Sequence, residues 1–496
     1  MNRLALIILI SSFTAPALSQ NWSGNDNDSI LHNFHSSFDS FRQGVLQDYN
    51  TYRNSVLTDY SKFLVEVWKE YEAFNGLSKY KLPKPKQPPK ENTSNQAVPK
   101  KIEPIVPDLT SMPNRPQPNI VSTPPLAPNP IIPTLGDVAI NYYGMTLKLP
   151  QLHLKPLNNI GPKSVASAWK ELQQMYIDKE VCPRLQQLSI SLGLNDWFMF
   201  ELVRQYSNQV APDRNMRILL AQFLMANLNY NVRIAKTDRQ LLLLVSIKQM
   251  IYYNMYTDIY GSKYYTFADD LEPIDETGDM RIYTCDLPQS SNLGNSIDMV
   301  INRKMNIDEG QYHQYNISSD GISISGKVNT TVLKMLDAYP CVDIPFIASS
   351  NVLPSTRMEV IDQIRSTIQN LNEIQAVRTI LHFVQHGFKY ATDEDQHGRE
   401  KYYFFEENLY YPKNDCEDRA IFFAYIVHNL LGLDVHLLYY PGHECTAVKF
   451  NERVDGDGYT YKGGTYLICD PTYIGADIGR CMPQYRDTQP KIELWY

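Results

Sequence analysis

Three residues near the C-terminal end have the types that thiol chemistry needs. They are Cys416 in "NDCEDRA", His443 in "YYPGHECTAVKF" and Asp470 in "YLICDPTY". They follow one another at equal steps of 27 residues (443 − 416 and 470 − 443). A cysteine becomes a nucleophile when a histidine takes its proton and a carboxylate orients that imidazole. The chemistry would be acyl transfer at an amide: thiolate attack, a thioester, then resolution by water or an amine.

The surrounding residues predict how these groups are held. Asn414 and Asp415 are N-cap residues for a helix over 416–431. Cys416 then lies in the first turn, where free amides and the helix dipole favour a thiolate. Ile421, Phe422, Phe423, Ile426, Val427, Leu430 and Leu431 make that helix apolar, and Gly432 suits the residue that ends it. Strands are expected over 434–440, 443–450 and 464–470, with Pro441 and Gly442 in the first turn. An antiparallel register with 443 opposite 470 sets His443 beside Asp470. It also sets Cys445 opposite Ile468 and Cys469 opposite Glu444, so the two cysteines point to opposite faces. Cys445 shares the face of His443 and is the second candidate nucleophile, without a helix N-terminus to lower its pKa. The Cys416 amide and the Gln396 side chain are the oxyanion donors expected. Tyr410, Tyr411 and His397 are candidates to line the cleft. Asp415, Glu417 and Asp418 could suggest a cation site but read rather as first-turn acids, with Asp418 or Arg419 bracing the motif. "VDGDGYT" (454–460) is too short for an EF-hand and reads as a hairpin turn. His436, in mid-strand, reads as structural.

In this order the three motifs resemble those of the transglutaminase-like superfamily, which shares the papain-like catalytic core, and more narrowly an exported Bacteroidetes-type member. The resemblance covers roughly residues 385–485. It implies an α+β fold with a cysteine-bearing helix packed on an antiparallel sheet. The family's cysteine falls on Cys416, its histidine on His443 and its aspartate on Asp470. The implied activity is that of a cysteine peptidase or amidase acting on a peptide or protein, with no cofactor and no metal. An amine acceptor would make it a crosslinking transglutaminase instead. The rival reading is a non-catalytic binding or structural module of the cell envelope on the same fold. One departure is Glu444, Cys445 and Thr446, where many members carry an aromatic-rich segment.

The rest of the chain sets the context. "MNRLALIILISSFTAPALSQ" has Arg3, a short apolar run and small residues at Ala17 and Ser19. It reads as a signal peptide over 1–19, too short to span a bilayer. The expected location is the periplasm, or the outside or surface, of a Gram-negative bacterium. Net charge is -8, and -9 once Arg3 is removed, which argues against nucleic acid. Seven cysteines, an odd number, leave at least one thiol outside an intrachain disulfide, and their spacing does not suit zinc. Residues 20–80 read as a helical segment, because aromatic and valine residues recur every three or four positions from Phe34 to Phe74. That stripe must bury itself on the protein's own body or on a protein partner. Residues 81–134 read as a proline-rich linker, with 15 prolines over 83–133. It becomes a surface strap if Ile102, Ile105, Val106, Leu109 and Ile120 find cover.

Helices are expected at 164–177, 195–210 and 213–230, with one or two over 356–388. Setting Val435 over Val232 aligns two apolar helices, each followed by strands. Cys416 then falls on Asp213 and His443 on Gln240, and "YLICDPT" resembles "IYTCDLP". Residues 135–290 therefore read as a degenerate transglutaminase-like copy, 291–355 as a β-rich connection and 356–496 as the catalytic domain.

Overall fold

Helix signals of the two halves are strong and local. Asn195 caps α2 (Asp196–Val210) by accepting from the Phe198 amide at 3.1 Å, after α1 (Ile177–Leu192). Asp213 caps α3 (Arg214–Asn227) the same way, accepting from the Met216 amide at 3.0 Å. In the second half come α4 (Pro354–Ile368), α5 (Glu373–Gly387) and α6 (Cys416–Leu431). The computed structural model describes residues 60, 62–66, 68–79, 84–91, 98–106, 136–267, 281–285, 294–308 and 310–495. The segment expected to be a signal peptide and most of the aromatic stripe lie outside those residues.

Six strands close a barrel in the first half: β1 (Lys69–Phe74), β2 (Val232–Lys236), β3 (Leu241–Ser246), β4 (Met255–Ile259), β5 (Ser262–Thr266) and β6 (Arg281–Thr284), in the order β1-β4-β5-β3-β2-β6. Its interior holds Ala235, Leu242, Leu244, Ile259, Tyr264 and Ile282. The helical stripe expected through Phe74 is therefore corrected at its end, since Tyr71 and Phe74 lie on a strand. The physical reason is tertiary. Tyr71 and Ala73, two apart, pack on the barrel interior, and both edges of β1 are paired.

The second half carries a five-stranded antiparallel sheet: β7 (Asp434–Tyr440), β8 (His443–Lys449), β9 (Gly458–Tyr461), β10 (Gly464–Cys469) and β11 (Lys491–Trp495), in the order β9-β10-β8-β7-β11. Helix α6 packs on β8 and β7, as α3 packs on β3 and β2. The fold is thus mixed α+β, with a cysteine-bearing helix on an antiparallel sheet.

The two halves share one strand order. Moving β2, β3, β4 and β5 along by 203 residues (435 − 232) lands each on β7, β8, β9 and β10. The outer neighbours β6 and β11 also correspond in the order. "IYTC" therefore matches β11 in topology, not the β10 segment "YLIC" that it resembles in letters. Helices α2 and α5 correspond at a smaller offset, 177 between their N-caps Asn195 and Asn372, whereas Asp213 and Asp415, the N-caps of α3 and α6, lie 202 apart. The difference, 25 residues (202 − 177), is extra chain in the second half between α5 and α6. It includes Asp393, Gln396, His397 and Glu400.

Residues 98–106 of the proline-rich segment join the second sheet at its edges, while 84–91 run against Tyr390 and Ile474. Lys101 bridges Gly458 on one edge strand and Ile105 bridges Lys491 on the other. Those edges are the counterparts of the two strands that β1 joins in the barrel. Backbone bonds from Ile102 to Gly458 (3.0 Å) and from Ile105 to Pro490 (2.8 Å) fasten it, so exposed sheet edges are covered. Residues 84–91 and 98–106 are a strap rather than a free linker, held by backbone bonds and not by apolar cover, since Ile105 and Val106 are exposed; Leu109 and Ile120 lie outside the described residues. Among the described residues, no helix is long and apolar enough to cross a membrane.

Candidate functional site

Helix α6 begins at Cys416 and ends at Gly432, whose φ of 69° is the left-handed conformation that glycine adopts readily. The helix is anchored at its start. Asp418 accepts from the Tyr403 amide at 2.8 Å, and Arg419 donates to Asn414 Oδ1 at 2.8 Å and to the Phe388 carbonyl at 3.0 Å. Gln385, on α5, donates to the Asp470 carbonyl at 3.0 Å, and its own carbonyl accepts from Arg419 at 3.2 Å. One helix thus ties the cysteine helix to the aspartate loop.

His443 opens β8, and its Nε2 lies 2.8 Å from Asp470 Oδ2. The pairing arises from a different register. Thr446, not Glu444, faces Cys469, and Ala447, not Cys445, faces Ile468. The slip is two residues, so every side chain keeps its face and His443 still reaches Asp470 diagonally. Asp470 Oδ1 accepts from the amides of Thr472 (2.9 Å) and Tyr473 (3.2 Å). The ring of His443 stacks on Tyr485, centroids 5.4 Å apart. Its Nδ1 is buried with no hydrogen-bond partner.

Cys416 makes no hydrogen bond to that imidazole. It is 1% exposed, and its thiol donates to Glu417 Oε2 at 3.0 Å. Burial pushes the thiol pKa well up, Glu417 and Asp415 push it further, and Lys84 opposes them. These effects outweigh the helix N-terminus, which was expected to lower it. Asp415 and Glu417 beside the thiol, together with Asp393 and Glu400, all pair with the ammonium of Lys84 from the strap. Distances are 3.3 Å to Asp393, 2.8 Å to Glu400 and 3.0 Å to Asp415, with Glu417 in direct contact. Burial, with Glu417 and Glu400, raises Asp393 to about 7 against the pull of Lys84. Burial alone would lower Lys84; the carboxylates win and hold it well up.

The remaining candidates form a separate cluster. The Gln396 amide nitrogen bonds Tyr403 and lies 3.0 Å from His397 Nε2, so that donor is already engaged. Tyr411 stacks on Tyr403 at 4.9 Å, and Tyr410 meets His313 edge-on at 4.8 Å. Burial and Lys401 lower His397 to about 4. Cys445 is buried in an apolar cluster with Tyr440 and Tyr459, and its sulfur lies within 4.8 Å of ligand atoms of His443 and Asp470. His436 is structural, bonded to the Tyr459 hydroxyl at 2.8 Å. "VDGDGYT" leads into β9, and Asp457 accepts from the strap amide of Lys100 at 2.8 Å. By spacing, cation ligands could come from Asp393, Glu400 and Glu417, or from Asp393, Asp415 and Asp418.

Sequence reasoning missed Lys84, Asp393 and Glu400. The only local signals are a lysine isolated between Pro83 and Pro85 and a dense acidic run from Asp393. No protein-family model matches the chain, and no curated protein matches it either.

Proposed function

We propose that this chain is an exported binding or structural module of the cell envelope, built on two helix-and-sheet halves that arose from one duplicated unit. The observation that carries the reading is the closure of Cys416, 1% exposed with its thiol given to Glu417. A reacting thiolate must come within about 3–3.5 Å of a carbonyl carbon. Burial and two adjacent carboxylates favour the neutral thiol instead.

One observation favours a second reading, acyl transfer at an amide bond through Cys416, His443 and Asp470. With Nε2–H donating to Asp470, Nδ1 of His443 is left as a buried base without a partner. Cys416 would need to turn from Glu417 toward that nitrogen. Water would then complete hydrolysis, and an amine would complete crosslinking.

Iodoacetamide labelling of the folded protein at pH about 6 separates the two, because thiols of pKa about 8.5 react slowly there. The binding reading expects slow labelling at every cysteine. Fast labelling confined to Cys416 and lost in His443→Ala would overturn it and establish acyl transfer.

A further inference from the structure

Four carboxylates from separate parts of the second half converge at the start of α6. Asp393 and Glu400 come from the extra chain before α6, Asp415 caps the helix, and Glu417 lies in its first turn. Carboxylates in a group do not by themselves select a ligand. Here a cation already sits among them, and it belongs to another element. The Lys84 ammonium arrives from the strap, more than 300 residues away in sequence, and its side chain is 6% exposed.

The stoichiometry is not that of a structural ion pair. Elsewhere in the same half, Arg357 and Glu406 pair one to one. Nε and a terminal nitrogen of Arg357 bond the two carboxylate oxygens at 2.7 and 2.9 Å, and the Leu353 amide adds a third bond. That arrangement satisfies a buried charge with one partner. The cage spends four carboxylates on one ammonium and still leaves Asp415 Oδ1 buried without a hydrogen-bond partner. Lys84 itself is carried by a surface segment fastened by a few backbone bonds, such as Glu91 to Ile474 at 2.9 Å. A core element built around Lys84 would not deliver it this way.

We infer that Asp393, Glu400, Asp415 and Glu417 form a binding site for a primary ammonium group, such as a lysine side chain or free N-terminus of a peptide, and that Lys84 occupies it in cis. The inference rests on the binding reading and gives that module its ligand class. A primary ammonium offers three N–H donors and a compact charge, which suits several carboxylates at once. The 25 extra residues (202 − 177) then have a purpose that the first half lacks. The strap becomes a displaceable cover, and a ligand must compete with a tethered lysine.

The test is a thermal melt of full-length Lys84→Ala with n-propylammonium, which replaces the deleted atoms. Tetramethylammonium and calcium at equal ionic strength are the controls. The expected result is a lowered melting temperature in Lys84→Ala, of which propylammonium restores about half or more along a saturating curve. No saturable recovery, an equal recovery with tetramethylammonium, or a larger one with calcium would overturn the ammonium assignment. If Lys84→Ala does not fold, hydrogen exchange of the wild-type strap decides. At roughly 0.3 M, well above the effective concentration of a flexible tether, propylammonium should speed exchange of the Glu91 and Ile102 amides beyond tetramethylammonium. Equal rates would overturn the inference. None of these readouts uses Cys416 reactivity, so the cage and the binding reading fail separately.

Discussion

Replacing Asp470 by asparagine should change a proton's position while costing little stability. Oδ1 of Asp470 accepts from two backbone amides, Thr472 and Tyr473, and Oδ2 faces His443 Nε2 at 2.8 Å. In Asp470→Asn the amide oxygen must stay with the two backbone donors, because an NH2 group there would face two N–H groups. The new NH2 therefore points at His443 Nε2, which must become an acceptor. The ring then carries its proton on Nδ1. The substitution exchanges one charge-assisted bond for a neutral one, a loss of roughly 1 kcal/mol. Asp470→Ala instead strands three donors in a buried site. At about 1–3 kcal/mol for each unsatisfied group, the loss should reach about 3 kcal/mol or more. Guanidinium unfolding reads the stabilities, and long-range proton–nitrogen NMR of His443 reads the tautomer. Wild type should show the proton on Nε2 and Asp470→Asn on Nδ1. If acyl transfer operates, the same variant should lose about 10²–10⁴ in rate, since Nδ1 can no longer accept the thiol proton. A ring that keeps its proton on Nε2 in Asp470→Asn, or an asparagine variant as unstable as the alanine one, would refute the argument.

Other perturbations follow from the same contacts. Glu406→Ala leaves Arg357 buried without its carboxylate and should cost about 3–5 kcal/mol in chemical denaturation, most of it recovered in the double variant Arg357→Met/Glu406→Leu. Gly458→Ala would bring a Cβ to 2.1 Å from the Tyr466 carbonyl oxygen. It should push β9 off β10, cost about 1–3 kcal/mol, and open the strap to a protease that leaves wild type intact. His397 is lowered to about 4 by burial and Lys401, whereas an unfolded histidine takes a proton near 6.5. The unfolded chain therefore binds more protons between those values. Stability from this group is complete above about pH 6.5 and lost as the pH falls toward about 4. His397→Gln should flatten that part of the pH–stability curve, and an unchanged slope would show that His397 is not the group responsible.

Local chemistry made much of the C-terminal half readable. Asp415, Cys416 and the apolar run to Leu431 mark α6, and Gly432 ends it. The bounds of β7 and the start of β8 follow from an alternating run broken by Pro441 and Gly442. The register of β8 with β10 was misjudged by two residues, yet His443 and Asp470 still meet, because an even slip preserves faces. The aromatic stripe misled at Tyr71 and Phe74: residues three apart suit a helix, but barrel pairing on both edges made them a strand. The letters of "IYTCDLP" misled as well, whereas strand order aligned the halves.

By itself the sequence determined the helix that carries Cys416, the strands that carry His443 and lead to Asp470, and the face that the last two share. Those features depend on caps, turns and periodicity within a few residues of each group. Only the tertiary structure decided the state of the cysteine. Its thiol answers to burial, to Glu417 beside it and to a lysine from a distant strap. Charges felt at short range in a poorly polarisable interior depend on which groups folding brings together, and no local pattern in the chain encodes that meeting.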